Sequence, residues 1–484
     1  MSVSVGPSGP NDVYLNQLDD FLKHTPSLNA DYVRHDDTTT LANMAHWLQQ
    51  QSLYFLYVAG SNQHGQILQS GIDQDVSQLA EGVLVTPKLP AGEATTVDPP
   101  KQIYAGGGHS ALLTQNGQLF LWGWNEQGQC GASGITKEEK DDSDDNPFPI
   151  RAAVPDIQVE RVALGFSHTV LIERGTKRLY AFGDNSRGQV DGSNASTNNT
   201  ISKPTATPFV QNDRFVDVSA GLFHTAAITE SGELVTFGCG RKGQCLHKKD
   251  NDNDDSVFNE RWRPDDGSKL VQVVCGRHHT AALDEKGRLW TFGDNKYGQL
   301  GRAIIAESEA IGDSTKKTKT FDPIPRMVDG IPGAAPTKDS SLKCVGLSSG
   351  WSHVIARVEQ SVPSGSKQTF YGWGRNDKGQ LGSITDQTVN FPVEVDNPLL
   401  KDIDSVSCGS ESTYFWNAKS GLCYCCGWNE HGNLALGTKY EQAEDIRELK
   451  EVIETGRVVS PPTYSADRTI LLAAGGAHLL VMMS

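Results

Sequence analysis

The chain has 484 residues, 43 basic and 59 acidic side chains, and a formal net charge of −16 at pH 7. This balance argues against charge-driven binding to nucleic acid, which normally requires a basic stripe, and no run of about 18 apolar residues predicts a membrane span. The start shows no secretory signal, and an odd number of cysteines, nine, indicates reduced thiols, so we expect a cytoplasmic or nuclear protein.

Residues 1–51 precede the repeated part of the chain and predict a short helical extension. Val13–Lys23 and Thr40–Gln50 both place apolar residues at helical spacing. Because helices this short are marginal unless their apolar stripe is buried, we favour packing against the domain that follows. A partner-docking or self-association arm is the alternative.

From residue 52 to residue 484 the chain alternates two motifs, and this repetition determines the predicted fold. In the first motif a short run of apolar and aromatic residues precedes Gly-x-Asn-x-x-Gly-Gln or a close variant. The first glycines of its copies are Gly60, Gly123, Gly183, Gly238, Gly293, Gly374 and Gly427. The second motif is Gly-x-x-His, and Gly409–Ser412 is a degraded copy of it. The intact copies contribute His109, His168, His224, His279, His353 and His478.

The length of the repeated unit favours a β-propeller blade. Successive motif glycines are 53 residues apart at their closest, from Gly374 to Gly427, and 81 residues at their widest, from Gly293 to Gly374. Helical repeats of the ankyrin or tetratricopeptide type are only about 33–34 residues long, whereas four short strands with generous loops fit this length. The apolar runs predict strands, and Gly and Asn predict turns because both tolerate positive φ.

The order of the motifs predicts how the ring closes. The first apolar–glycine motif has no Gly-x-x-His before it, and the last Gly-x-x-His has no apolar–glycine motif after it. A strand at Leu53–Val58 is therefore expected to lie beside Thr469–Met483, so that one blade contains both ends of the repeat and no sheet edge stays open. The predicted fold is an all-β, seven-bladed β-propeller over residues 52–484.

The alternation of the two motifs resembles the regulator of chromosome condensation repeat family, across about residues 52–484. Three stretches are similar to two narrower branches, the secretion-regulating guanine nucleotide exchange factor branch and the fungal α-tubulin suppressor branch. These stretches are Gly106–Ala111, Gly372–Arg375, and Ser407–Glu411 followed by Gly427–Gly432. The resemblance implies a propeller that binds proteins through its two faces.

The recurring histidines and the motif glycines are interpreted as structural, because a residue that every repeat requires serves the repeat. An imidazole could donate to a backbone carbonyl and accept from a neighbouring amide, which would tie inner strands together.

No metal site or cofactor is predicted. Cys423–Cys426 lacks the paired spacing of a structural zinc site and predicts buried free thiols instead. Asp250–Asp255 could offer oxygen ligands, but the glycine and distal glutamate of a calcium loop are not in register. Charged insertions separate several blades, and one of them, Thr438–Arg457, is a helical candidate.

The chain carries no phosphate loop, zinc helix or nucleophile elbow. Whether it is an enzyme therefore stays open, and the sequence favours a protein-binding propeller. The family resemblance implies a regulator of a small GTPase, which would loosen a bound nucleotide without covalent chemistry. The alternative is a non-enzymatic scaffold that partners a small zinc-binding protein in diphthamide and wobble-uridine modification.

Three residues are candidate partner contacts: Trp351, Arg375 and Glu430. Each lies at a blade edge or turn in the repeats that resemble the narrower branches. The alternative is that they cap neighbouring blades. A light receptor of the plant ultraviolet-B type is not expected, because only Gly350–His353 carries the tryptophan that such receptors repeat in consecutive blades.

Overall fold

A computed structural model describes residues 55–64, 66, 83–84, 99–131, 154–192, 199–207, 212–246, 261–304, 320–331, 342–362, 365–382, 384, 386–437, 445–452 and 470–483. The helical extension predicted for residues 1–51 and the acidic segment Asp250–Asp255 lie outside these residues.

The described residues form seven antiparallel sheets, and in each the first strand of the repeat is innermost. Blade 1 contains β3 (Pro100–Ala105), β4 (His109–Thr114) and β5 (Leu119–Gly123). Blade 2 contains β6 (Val159–Leu164), β7 (His168–Glu173), β8 (Leu179–Asp184) and β9 (Thr200–Ala206). Blade 3 contains β10 (Phe215–Ala220), β11 (His224–Thr229), β12 (Leu234–Gly238) and β13 (Arg261–Trp262). Blade 4 contains β14 (Leu270–Cys275), β15 (His279–Asp284), β16 (Leu289–Asp294) and β17 (Phe321–Met327). Blade 5 contains β18 (Leu342–Ser349), β19 (His353–Val362), β20 (Gly365–Arg375) and β21 (Thr388–Glu394). Blade 6 contains β22 (Ser405–Cys408), β23 (Ser412–Trp416), β24 (Cys423–Trp428) and β25 (Asp445–Glu451). A short 3₁₀ helix, Pro398–Leu400, follows β21.

Blade 7 closes the ring as the motif order predicts. It contains β26 (Ile470–Ala474), β27 (His478–Met483), β1 (Phe55–Gly60) and β2 (Val83–Leu84), in the order β2-β1-β27-β26. β1 pairs antiparallel with β27, from Phe55 opposite Met483 to Gly60 opposite His478. The seven-bladed propeller and its closure are confirmed. One prediction is wrong: the helical candidate Thr438–Arg457 contains β25, the outer strand of blade 6.

The hydrophobic core lies between neighbouring sheets. One buried cluster combines Ile228 and Leu234 of blade 3 with Leu270, Val273 and Phe292 of blade 4. Similar clusters fill the other blade boundaries in the described part of the chain. Because each sheet buries both of its faces against neighbours, the ring stabilises blades that could not fold separately.

The first glycine of every apolar–glycine motif has a positive φ, as predicted. The seven values, for Gly60, Gly123, Gly183, Gly238, Gly293, Gly374 and Gly427, lie between 101° and 116°. The motif asparagines, in contrast, do not have positive φ, so this part of the prediction is wrong. Their side chains stabilise the turn instead: Asn185 Oδ1 accepts from Val190 N at 3.0 Å, and Asn376 Oδ1 accepts from Leu381 N at 2.8 Å.

The repeated histidines join neighbouring blades through side-chain hydroxyls. His168 Nε2 of blade 2 lies 3.0 Å from Thr225 Oγ1 of blade 3, and that hydroxyl donates to the carbonyl of Gln189, back in blade 2, at 2.8 Å. We call this arrangement the clasp. It replaces the backbone contacts expected from the sequence. The same imidazole–hydroxyl contact starts from His109, His224, His353 and His478. His279 differs, because it meets the hydroxyl of Ser349 on the inner strand of blade 5 at 3.1 Å, and that hydroxyl donates to the carbonyl of Gly350.

The clasp determines the protonation of these imidazoles. The threonine hydroxyl donates its hydrogen to the glutamine carbonyl, so it can only accept a hydrogen bond from His Nε2. The imidazole is therefore protonated at Nε2. Burial lowers the pKa of His224 to about 3 and that of His168 to about 4, so both rings are neutral. The imidazole also explains why Gly-x-x-His begins with glycine, because a Cβ on Gly165 would lie 2.4 Å from His168 Cε1.

Candidate protein-interaction face

The two motifs meet at one end of the propeller. Within each blade the second strand begins directly opposite the end of the third, as at His224 and Gly238 in blade 3. The turns that contain Gly-x-x-His and Gly-x-Asn-x-x-Gly therefore lie on the same end, which we call the motif face. The turns between second and third strands lie on the opposite end, which we call the hairpin face.

On the motif face the Gly-x-x-His turns surround a central channel and bond to one another through their backbones. Trp351 N donates to Ser410 O at 2.8 Å, and Ser410 N donates to Gly475 O at 3.0 Å. The contact between Gly476 N and Gly106 O, at 2.8 Å, crosses from blade 7 to blade 1. These backbone bonds between neighbouring turns hold the variable residues that follow the glycines of Gly-x-x-His.

Aromatic side chains form a track around part of the channel mouth. The ring of Trp124 contacts His64 at 5.4 Å and Phe166 at 5.8 Å between centroids, and Phe166 contacts Trp351 at 6.3 Å. The guanidinium of Arg277 lies 5.2 Å above the Trp351 ring. Because Trp124, Phe166 and Trp351 are only half-buried, the track offers apolar surface together with an exposed cation, as binding surfaces often do.

Arg375 links two blades next to this track. It forms an ion pair with Glu411 of blade 6 and another with Asp377, at 2.7 Å, and its guanidinium lies 5.1 Å from the Tyr297 ring centroid. Burial opposes the charge of Arg375, but the hydrogen bond to Asp377 and the charge of Glu411 prevail and raise its pKa. Arg375 thus caps a neighbouring blade while one side remains accessible.

Glu430, the third candidate contact, is exposed on the motif turn of blade 6. Its carboxylate accepts a hydrogen bond from Trp428 Nε1 at 3.2 Å, and Trp428 packs edge-on against His431 at 5.1 Å. The structure therefore places Trp351, Arg375 and Glu430 on the same face but in three separate groups of contacts.

Three further residues on this face were not singled out from the sequence: Lys242, Arg277 and Lys296. All are exposed. Each occupies a variable position of a motif, so the repeat pattern gave no signal for them, and their shared location is visible only in the structure.

No metal-binding cluster is evident in the part of the chain that the structure describes. These residues include no cluster of three or more His, Cys, Asp or Glu side chains placed to hold a metal ion. Cys425 and Cys426 are fully buried, and burial raises the pKa of both thiols far above its usual range.

The comparisons with known proteins agree with this architecture. The RCC1-like domain matches residues 55–481. The chain belongs to the RCC1-like family. Among its relatives, the secretion-regulating guanine nucleotide exchange factor of Mus musculus is 29% identical, over 79% of this chain and 75% of that protein. The ultraviolet-B receptor UVR8 of Arabidopsis thaliana is 27% identical, over 70% of this chain and 68% of that receptor.

A solved structure supports the RCC1-like fold. Prp20p of Saccharomyces cerevisiae superposes with a TM-score of 0.65 at 18% sequence identity, covering 89% of this chain and 91% of that one. At this identity the likeness concerns the fold alone. Within the described residues, no helix has the length and apolar character needed to cross a membrane.

Proposed function

We propose that this RCC1-like propeller regulates a small GTPase and promotes release of its bound nucleotide. The observation that carries the proposal is the aromatic track on the motif face, with Arg277 over Trp351 at 5.2 Å. Two mammalian relatives are secretion-regulating guanine nucleotide exchange factors, and Prp20p binds Gsp1p and histones.

Exchange of this kind needs no catalytic residue. A protein that binds the nucleotide-free GTPase more tightly than the nucleotide-bound form lowers the affinity for nucleotide by the same factor. The rigid, backbone-bonded turns of the motif face supply a surface that does not deform when a mobile partner docks. Half-buried aromatics such as Trp124 and Trp351 supply contact area at small entropic cost.

The test is release of fluorescent GDP from purified small GTPases, beginning with Gsp1, at substoichiometric amounts of the full chain. We expect at least one GTPase to release nucleotide about tenfold faster, equivalent to about 1.4 kcal/mol of barrier. Arg277→Glu, an exposed charge reversal, should abolish most of this acceleration. The same reversal at Arg214, whose ion pair with Glu230 lies exposed outside the motif turns, should leave it unchanged.

No acceleration with any GTPase would overturn the proposal. If the chain then bound a small zinc-binding protein through the motif face, the scaffold function would replace it. A loss of acceleration that is equal for Arg277→Glu and Arg214→Glu would show that the motif face is not the docking face. Far-ultraviolet circular dichroism and thermal melting of both variants establish that the propeller is intact.

A further inference from the structure

A cluster of positive charge lies on the motif face of a chain whose net charge is −16. Lys242 of blade 3, with Arg277 and Lys296 of blade 4, are all exposed there. We call these three residues the basic sector. Local charge of one sign on a protein of the opposite sign concentrates the field where a partner can use it.

Two neighbouring side chains, His278 and Asp294, feel the charges of the basic sector. Burial, aided by the charges of Arg277 and Lys242, lowers the pKa of His278 to about 4. Asp294 responds to both Lys242 and Lys296, which oppose the rise in its pKa that burial causes. The backbones of these two reporters are adjacent, since Asp294 N donates to His278 O at 2.8 Å. The two turns of blade 4 that carry Arg277 and Lys296 therefore meet, and Lys242 of blade 3 is near enough to act on both reporters.

The basic sector is not neutralised by ion pairs of its own. Among the described residues, no carboxylate lies within ion-pair distance of any of its three members; Arg277 covers the Trp351 ring and Lys296 covers the Tyr297 ring. Exposed cations elsewhere in the molecule behave differently: Arg214 pairs with Glu230 at 2.7 Å and Lys286 with Asp266 at 2.7 Å. Unpaired cations held over aromatic rings keep their charge available for a partner.

We propose that the basic sector binds an acidic segment of a protein partner, with Trp351 and Tyr297 contacting the apolar part of that segment. This inference deepens the proposed function and rests on the motif face being the docking face. Nucleic acid fits less well, because the Arg375 group beside the basic sector brings the carboxylates of Glu411 and Asp377. Opposite charges across such an interface would raise the association rate and orient the partner.

The test uses three fluorescent probes of equal length: a glutamate-rich peptide with one tryptophan, a lysine-rich peptide with one tryptophan, and a single-stranded thymidine oligonucleotide. Anisotropy titrations with the full chain should show binding of the acidic peptide that weakens as salt rises. The double substitution Lys242→Glu and Lys296→Glu should weaken it at least about tenfold.

The matched control reverses two exposed lysines at the start of inner strands, Lys269→Glu in blade 4 and Lys343→Glu in blade 5, on the hairpin side of the propeller. It changes the net charge equally and should alter the affinity less than about twofold. Equal weakening in both variants, no binding of the acidic peptide at low salt, or tighter binding of the oligonucleotide would each overturn the inference. Acidic-peptide binding without any nucleotide release would sink only the GTPase proposal.

Discussion

His224 Nε2 of blade 3 lies 3.1 Å from Thr280 Oγ1 of blade 4, and the same hydroxyl lies 2.9 Å from the carbonyl oxygen of Gln244. The histidine comes from one motif and the glutamine from the other, so a single threonine contacts both motifs of the preceding blade. The clasp therefore explains why the two motifs repeat together.

Removing the imidazole should cost more stability than an ordinary side-chain hydrogen bond. His224 is fully buried, so His224→Ala leaves a cavity and removes the donor to Thr280. We expect the free energy of unfolding to fall by about 3 kcal/mol, measured by chemical denaturation. Thr280→Val, which keeps the volume but removes the hydroxyl, should cost about 2 kcal/mol.

The double variant distinguishes the clasp from two independent losses. If the contact is real, the two costs will not add, and the coupling energy in the double-mutant cycle will be about 1 kcal/mol or more. Additive costs would contradict the clasp. His64→Ala serves as control, because this histidine is exposed and its removal should change stability by less than about 0.5 kcal/mol.

The neutral histidines make the stability of the propeller depend on pH. The pKa of His224 in the folded chain is about 3, against about 6.5 when unfolded. Because the folded pKa is lowered, the unfolded chain binds more protons at mildly acid pH. The stabilisation from the neutral ring is complete above about pH 6.5 and is lost progressively as pH falls towards 3.

The contribution of one histidine can be isolated from the slope of the unfolding free energy against pH. At about pH 5, His224→Gln should reduce the slope of unfolding free energy against pH by about 1.4 kcal/mol per pH unit, the value for one proton. Thr280→Val should lower stability at every pH but keep the slope, because the imidazole stays buried. Denaturation midpoints collected between pH 4.5 and 7 give both numbers, and an unchanged slope in His224→Gln would refute the neutral-ring assignment.

The fold could be predicted from the sequence because it rests on residues that every blade repeats. Gly60 and His478 lie more than four hundred positions apart, yet their motifs predicted that they share a blade, and their strands pair. The role of Asn185 was misjudged because an asparagine serves a turn equally well by conformation or by side-chain hydrogen bond. Only the structure distinguishes these uses.

The candidate site was less predictable, for a geometric reason. Lys242, Arg277 and Lys296 are separated along the chain and each fills a variable motif position. Their nearness follows from the way blades 3 and 4 stack around the axis, which the sequence shows only after the ring is built. The whole-chain charge of −16 pointed the other way, because a net charge is a sum and does not report where the charges lie.

Replacing the first glycine of Gly-x-Asn-x-x-Gly should destabilise the propeller for two reasons, its positive φ and the lack of space for a Cβ. Gly293 has a φ of 116°, and a Cβ there would lie 2.6 Å from the carbonyl oxygen of His278. We expect Gly293→Ala to cost about 3 kcal/mol or more in unfolding free energy. Gly267 is the matched control: its φ of 74° is also positive, but nothing lies within 4 Å of the added Cβ, so Gly267→Ala should cost about 1 kcal/mol. Equal costs would mean that backbone conformation alone explains why glycine recurs at this turn in every blade.

Two blade boundaries depart from the clasp, between blades 4 and 5 and between blades 6 and 7, and the second of these has lost the motif histidine as well. At the boundary between blades 6 and 7, Ser412 replaces the motif histidine of blade 6, and Leu479 of blade 7 stands where five other blades carry the hydroxyl. Both are buried, and the Asn433 carbonyl, in the glutamine position, accepts from Tyr414 Oη at 2.6 Å instead. All three members of the clasp have therefore changed together.

Rebuilding the clasp at this boundary should reveal the coupling directly. Ser412→His alone buries an imidazole without a partner, and Leu479→Thr alone exchanges a packed leucine for an unpaired hydroxyl, so each should lower the unfolding free energy by about 1–3 kcal/mol. Together they can form the contact seen between His353 and Thr413, at 3.0 Å, and Gly409 already leaves room for the ring. We expect the double variant to be at least about 1 kcal/mol more stable than the sum of the single effects predicts. Strict additivity across the four proteins would mean that the hydroxyl and imidazole do not meet at this boundary, and that the clasp depends on features of the other blades beyond these two positions.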